Sequence, residues 1–337
     1  MRRWSIAVLM LGLAALHCAD PERCSAQKEA LFQSIEKRDG ECWEAALKIW
    51  DWAEPGYQET RSSALLSTML ESAGFRVERG VAEIPTAFTA TAGSGKPVIA
   101  ILGEYDALPG LSQEPQPLRL PRKGKETGYG HGCGHHLFGV ASASASIAIA
   151  EQIRSGKISG TIRYYGCPAE EGGSAKVFMT AAGLFDDCDA VLHWHPASNN
   201  SAGDRSSLAR MAVRFRFRGK AAHAAGSAEQ GRSALDAVEL TNHAAELLRE
   251  HLPESTRIHH VITDGGAAPN IVPETAEVYF YVRHPHARPL RAAYQRLLLC
   301  AQAGALATET KLEVNYQGGV REILPNNALA EITMANL

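Results

Sequence analysis

From Cys42 to Gly74 apolar residues recur at spacings of three and four (Ala46, Ile49, Ala53, then Leu65, Leu66, Met69, Leu70), which predicts helix, with Gly74 where a C-cap belongs. Phe75 to Val81 then reads as a strand. Val98 to Leu102 is continuously apolar and runs into Gly103-Glu104-Tyr105-Asp106, the pattern of a buried parallel strand whose carboxyl end meets a loop. Residues 109–130 are rich in Pro, Gly and charge and predict a long loop. A Gly-rich knot, Gly130 to Gly134, then opens an Ala/Ser-rich helix from about Leu137 to Ile153. A strand from Thr161 to Cys167, a break at Pro168, a helix from about Ser174 to Gly183 and a strand from Ala190 to Trp194 complete the alternation. Such alternation predicts an α/β fold on a mostly parallel sheet, whose sites gather at the carboxyl ends of strands.

After residue 205 the rhythm changes. Val213, Phe215 and Phe217 alternate with Arg214, Arg216 and Arg218, which marks a half-buried strand with one wet face. The order that follows is helix (Ser233 to Leu252), strand (His259 to Thr263), strand (Ala276 to Val282), helix (Ala287 to Leu306) and strand (Lys311 to Tyr316). Together these six elements spell βαββαβ, a ferredoxin-like unit inserted after the α/β part.

Composition narrows the picture. The 337 residues are 45% apolar, which suits a folded chain of about two domains and excludes disorder as the main theme. With 34 basic against 37 acidic side chains the net charge is −3, so nothing global steers the chain to nucleic acid or an anionic membrane. At the N-terminus, Arg2 and Arg3 precede an uncharged run from Trp4 to Leu16 that would rise only about 20 Å as a helix, short of a bilayer core. This reads as a signal peptide over residues 1–26, cleaved after Cys24-Ser25-Ala26. Export to the periplasm or exterior follows if the leader is functional, a cytoplasmic location otherwise, and no membrane attachment after its removal. Five cysteines would remain (Cys42, Cys133, Cys167, Cys188, Cys300), an odd number without the spacing of a disulfide framework.

The densest chemical signal is Gly130-His131-Gly132-Cys133-Gly134-His135-His136. Three His and a Cys, carried on glycines that permit tight turns, can aim nitrogen and sulfur donors at one point. No Cys-x-x-Cys knuckle accompanies them, so a structural zinc ribbon is excluded. Glu170-Glu171 follows Pro168 at a strand end, and adjacent carboxylates beside a metal can divide labour, one binding the ion and the other moving a proton. His195, after the next strand, adds a donor from a third strand end.

The strings GHGCGHH, YGCPAEEGGSAK, DAVLHWHP, FRGKAAHAAGS, GRSALDAV and PNIVPETAEVYFYVR resemble the metal-dependent amidohydrolase family of aminoacylases, hippurate-type hydrolases and carboxypeptidase-like dipeptidases over about residues 40–335. The resemblance implies two divalent ions, zinc or manganese, with Cys133, His135, Glu171 and His195 as ligands, Cys133 bridging, and His193 two positions short of the ligand position. It implies Glu170 as general base for a metal-activated water, Asp106 behind the ligands, and His223 as oxyanion donor. Asn270 and Arg283 are implied as contacts to the substrate carboxylate. The implied reaction is hydrolysis of an N-acyl or aminoacyl amino acid, an aminobenzoyl-glutamate-like amide or a dipeptide; an esterase using the same water is open.

The implied organisation is a catalytic α/β domain over 27–205 and a lid over 206–324 that forms a homodimer. Two departures stand out. His136 occupies a position where the family has Asp or Asn, and a ring there can itself bind metal. Residues 325–337 fit only the opening helix of a segment that would return to the catalytic domain, and no histidine follows His286 to supply a last ligand. The expectation is therefore a C-terminally truncated chain, with a non-catalytic binding or dimerisation remnant as the alternative to an active enzyme.

Overall fold

The structure, a computed structural model, describes residues 21–203 and 205–337. The expected leader run from Trp4 to Leu16 lies outside the described residues, and the expected cleavage point falls within the first described helix, α1 (Pro21–Glu36). Among the described residues no helix is long and apolar enough to cross a membrane. The chain divides into two compact units, residues 1–198 and 199–337.

In the first unit α1 is followed by α2 (Asp39–Trp52) and α3 (Thr60–Ser72), then β1 (Arg76–Arg79), β2 (Phe88–Ser94) and β3 (Val98–Gly103). After a long loop come α4 (His135–Arg154), β4 (Gly160–Gly166), α5 (Ala175–Ala181) and β5 (Ala190–Leu192). The sheet order is β1-β2-β4-β3-β5, with β3 parallel to both β4 and β5, and β2 antiparallel to β1 and β4. Helices cover both faces of this mixed sheet. On one side Val140, Ala143 and Ile147 of α4 pack with Ile49, Leu66, Leu70, Phe88 and Ile101. On the other, Ala100, Leu102 and Tyr165 meet Ala175 and Met179 of α5.

Two local expectations differ from the structure. The helical pattern from Cys42 to Gly74 is two helices, because Ala53 turns left-handed (φ 43°) and Pro55 cannot continue the ladder. Glu54, buried in the break, accepts from the Arg61 and Ser62 amides (3.1 and 2.9 Å) and so caps α3. The hydrophobic pattern does not predict β2; its sequence, Phe-Thr-Ala-Thr-Ala-Gly-Ser, lacks the β-branched apolar run that marks a central strand.

The second unit contains β6 (Ala209–Arg218), α6 (Ala234–Arg249), β7 (Arg257–Asp264), β8 (Thr275–His284), α7 (Ala287–Ala307), β9 (Lys311–Val320) and α8 (Asn327–Met334). Its sheet, β7-β8-β6-β9, is antiparallel throughout, which is the ferredoxin-like arrangement of βαββαβ. Phe215, Phe217, Val278 and Phe280 form its core with Val238 of α6 and Leu297 of α7. The arginines of β6 take the opposite face, where Arg214 lies 4.1 Å over the Tyr279 ring and Arg210 4.8 Å over Tyr281.

Candidate metal centre

Where β3 ends, two residues reach three partners. Tyr105 donates to the Thr86 carbonyl (2.7 Å) and anchors the segment in the core. Asp106 divides its carboxylate: Oδ1 takes Nδ1–H of His135 (2.9 Å), and Oδ2 takes the backbone amide of Glu171 (2.8 Å). A His ring held at Nδ1 by a carboxylate presents Nε2 as a lone pair, the tautomer metal ligands need. His135 Nε2 and Glu171 Oε1 are both buried without a hydrogen-bond partner.

The Gly-rich knot brings His135 there. Gly130 bridges to Leu108, and a Cβ at Gly130 would stand 1.7 Å from the Leu111 carbonyl oxygen, so only glycine fits. Gly134 takes φ +75° and turns directly into α4. Between them Cys133 meets Glu171. Burial, then the hydrogen bond to Glu171 and the charges around it, push this thiol up to about 12, the surroundings of a sulfur that ionises when a cation arrives.

Glu170 and Glu171 follow β4 on a strained turn, Ala169 at φ 50°, whose amide donates to the buried Glu59 carboxylate (2.8 Å). Burial raises the Glu170 carboxyl, Glu104 adds to the rise, and Lys176 partly offsets it. After β5, His195 uses Nδ1 on the Pro196 carbonyl (2.9 Å), which leaves Nε2 free, and its ring stands edge-on to His135 at 5.5 Å. His193 turns instead to Glu104 Oε1 (3.2 Å).

Two donor groups result, each with its atoms within 4.8 Å of one another: Cys133, His135 and His195, and Glu104, His135 and Glu170. Sulfur and nitrogen ligands on one tetrahedral zinc, at about 2.3 Å and 2.0–2.1 Å, stand about 3.3–3.6 Å apart, so the first group holds a divalent ion once its side chains close in by up to about 1 Å. The orphaned Nε2 of His135 and Oε1 of Glu171 point the same way, since buried polar atoms without partners are costly. These residues fit a metal. Glu171 lies beside Cys133 rather than within either three-residue group.

His136 joins neither group. It packs against Trp50 (4.8 Å) and His131 (5.2 Å), and His131 donates from Nε2 to the Ile49 carbonyl (3.0 Å). Burial drives both rings down, His131 to about 4 and His136 to about 3. The residue standing in place of Asp or Asn is therefore part of a buried aromatic stack.

In the second unit, His223 pairs with Ile271, and the amides of Ala225 and Gly226 donate to its Nδ1 (3.2 and 3.0 Å). The ring thus carries its proton on Nε2. The Asn270 carbonyl accepts from Ala224 (3.0 Å), so His223 and Asn270 share one loop pairing. Arg283 is not brought to them: it stacks on Tyr281 near the end of β8, about 26 Å along the strand from Thr275, where β8 begins beside that loop. Sequence reasoning passes over Glu59, Glu104 and Lys176. Their signal is faint, although two acidic residues spaced i, i+2 at the end of an apolar run mark Glu104 as well as Asp106.

An α/β unit with a nitrogen, sulfur and carboxylate donor set at its strand ends, followed by a ferredoxin-like unit, defines the class as a candidate metallohydrolase. The chain belongs to peptidase family M20/M25/M40, whose model matches residues 100–323. It is 45% identical over 285 residues to a p-aminobenzoyl-glutamate hydrolase subunit of Escherichia coli (strain K12), across 84% of this chain and 59% of that protein. The chain therefore spans less than two thirds of that relative. Among solved structures it resembles an aminobenzoyl-glutamate utilization protein from Klebsiella pneumoniae (TM-score 0.69, 18% identity, 89% of this chain and 81% of that one). It also resembles a Bacillus subtilis protein described as a dinuclear metal binding peptidase of the M20 family (TM-score 0.61, 18% identity, 89% and 81%).

Proposed function

We propose that the chain is a metal-dependent amidohydrolase that cleaves the amide bond of an N-acyl or aminoacyl amino acid, with an aminobenzoyl-glutamate-like amide as first substrate and dipeptides next. The observation that carries the reading is Asp106, which fixes His135 by one oxygen and the Glu171 amide by the other and leaves a nitrogen and an oxygen buried without partners. Cys133, His135, Glu171 and His195 would hold two divalent ions, zinc or manganese. When bound, the metal supplies Lewis acidity, polarising the carbonyl and easing ionisation of water.

The remaining work belongs to side chains. Glu170, a carboxyl held above its ordinary range, takes the proton of the attacking water and returns it to the leaving amine. Asp106 keeps His135 in one tautomer throughout. In the second unit His223 exposes an Nε2–H, the donor a developing oxyanion needs, and Asn270, on the loop paired with it, is the candidate for the substrate carboxylate. The formed donor set favours an enzyme over a non-catalytic remnant. For assembly the reading expects a homodimer through the ferredoxin-like unit, and for location, export directed by the leader.

Glu170→Gln tests the proton-carrying role. With zinc or manganese present, hydrolysis of p-aminobenzoyl-glutamate should fall by about 10²–10⁴-fold while bound metal, measured by elemental analysis, is unchanged. Turnover within a few-fold of the parent chain would remove Glu170 from the mechanism.

A further inference from the structure

Glu104 belongs to none of the motifs that single out the donors, yet it is only 1% exposed, where the carboxyl end of β3 meets the metal centre. Its two oxygens are used differently. Oε1 is engaged twice, by the Lys176 ammonium and by Nε2 of His193 (3.2 Å). Oε2 is buried without a hydrogen-bond partner, although it lies 3.0 Å from Nε2 of His135. That nitrogen is equally unpartnered, because the ring's other nitrogen is committed to Asp106.

Facing each other at this distance and stripped of water, these two atoms need a cation shared between them, either a proton on the His135 ring or a metal ion held by both. The spacing suits one. Oxygen and nitrogen donors at about 2.0–2.2 Å from a common ion stand roughly 2.9–3.4 Å apart for octahedral to tetrahedral angles. Glu170 reaches the same group of donors. Lys176 offsets one negative charge from the Oε1 side, so the carboxylate is anchored while its second oxygen stays free.

We propose that Glu104 is itself a metal ligand, binding through Oε2 the ion that His135 holds, with Lys176 and His193 as the positioning residues that fix its orientation. This rests on the reading of the cluster as a metal centre.

Crystals of the full chain soaked in zinc and examined by anomalous scattering decide it. The expected peak lies within about 2.0–2.2 Å of both Glu104 Oε2 and His135 Nε2. A peak among Cys133, His135 and His195 that Glu104 does not touch overturns this assignment and leaves the proposed function standing. No zinc peak at all overturns both. In solution, Glu104→Gln and Lys176→Met are compared with the parent chain by chelator competition and by the visible spectrum of the cobalt-loaded protein, with circular dichroism showing that each variant is folded. Glu104→Gln should weaken metal by at least 10-fold and change the cobalt spectrum as a ligand is lost, whereas Lys176→Met, which only loosens the carboxylate, should weaken metal less and keep the parent's stoichiometry. Equal weakening in both variants with an unchanged cobalt spectrum would reduce Glu104 to a counter-charge and overturn the proposal. Should Glu104→Gln fail to fold, the soaked crystal of the unaltered chain still decides.

Discussion

Asp106→Asn removes one negative oxygen and changes the shape of the side chain hardly at all. In the native site Oδ1 accepts from His135 Nδ1 at 2.9 Å and Oδ2 accepts from the Glu171 amide at 2.8 Å. Asparagine has a single acceptor oxygen, so whichever bond it keeps, its NH₂ faces a donor at the other position. One hydrogen bond to a charged group, about 1.5–3 kcal/mol, is lost. If that loss falls entirely on the geometry of His135 or Glu171, metal affinity drops by roughly 10–150-fold, in line with the 10–100-fold typical of groups that support metal ligands. Competition with a chromophoric chelator measures this directly, with a thermal melt to show that the variant is folded. Asp187→Asn is the control, since it weakens only contacts at the other side of the sheet end, with Arg163 and the Cys188 thiol, and should leave affinity untouched. Zinc and manganese affinities within about threefold of the parent in Asp106→Asn would refute the claim that Asp106 organises the site.

Two further predictions concern protons. Because burial and the Glu171 hydrogen bond hold the Cys133 thiol up near 12, the metal-free chain carries that proton at neutral pH, and metal uptake must release it. Calorimetric titration with zinc in buffers of different ionisation enthalpy should show proton release that disappears in Cys133→Ala; identical heats in all buffers would contradict it. His131 and His136 are buried neutral, at about 4 and about 3, while the unfolded chain binds protons below about 6.5. Protons therefore favour the unfolded state as pH falls from about 6.5 toward 3, and by pH 5 each ring costs on the order of 2 kcal/mol. Urea titrations of the first unit's unfolding at pH 7 and pH 5 should show this loss, and a His136→Phe variant should lose less.

The second unit is legible almost whole because strict alternation in β6 and β8, and long amphipathic spacings in α6 and α7, leave little choice of register or face. The first unit is harder. A break carried by Ala53 and Pro55 hides inside a pattern that keeps helical spacing across it, and β2 holds its place by pairing with β1 and β4 rather than by its own composition. At the site, spacing and strand ends bring out Cys133, His135, Glu170, Glu171 and His195. They do not tell His136, packed on Trp50, from a ligand, nor Glu104 from an ordinary loop carboxylate. Those distinctions depend on which way a side chain turns after the strand ends, and tertiary packing decides that.

The central claim is that this strand-end cluster holds metal in order to hydrolyse an amide. The full chain, stripped with a chelator and dialysed, should release no p-aminobenzoate from p-aminobenzoyl-glutamate. Adding zinc or manganese should restore release in proportion to bound metal and saturate at two ions per chain. Equal release from the stripped and reloaded chain, or a chain that binds metal through these residues and hydrolyses neither this amide nor a dipeptide, would contradict the account.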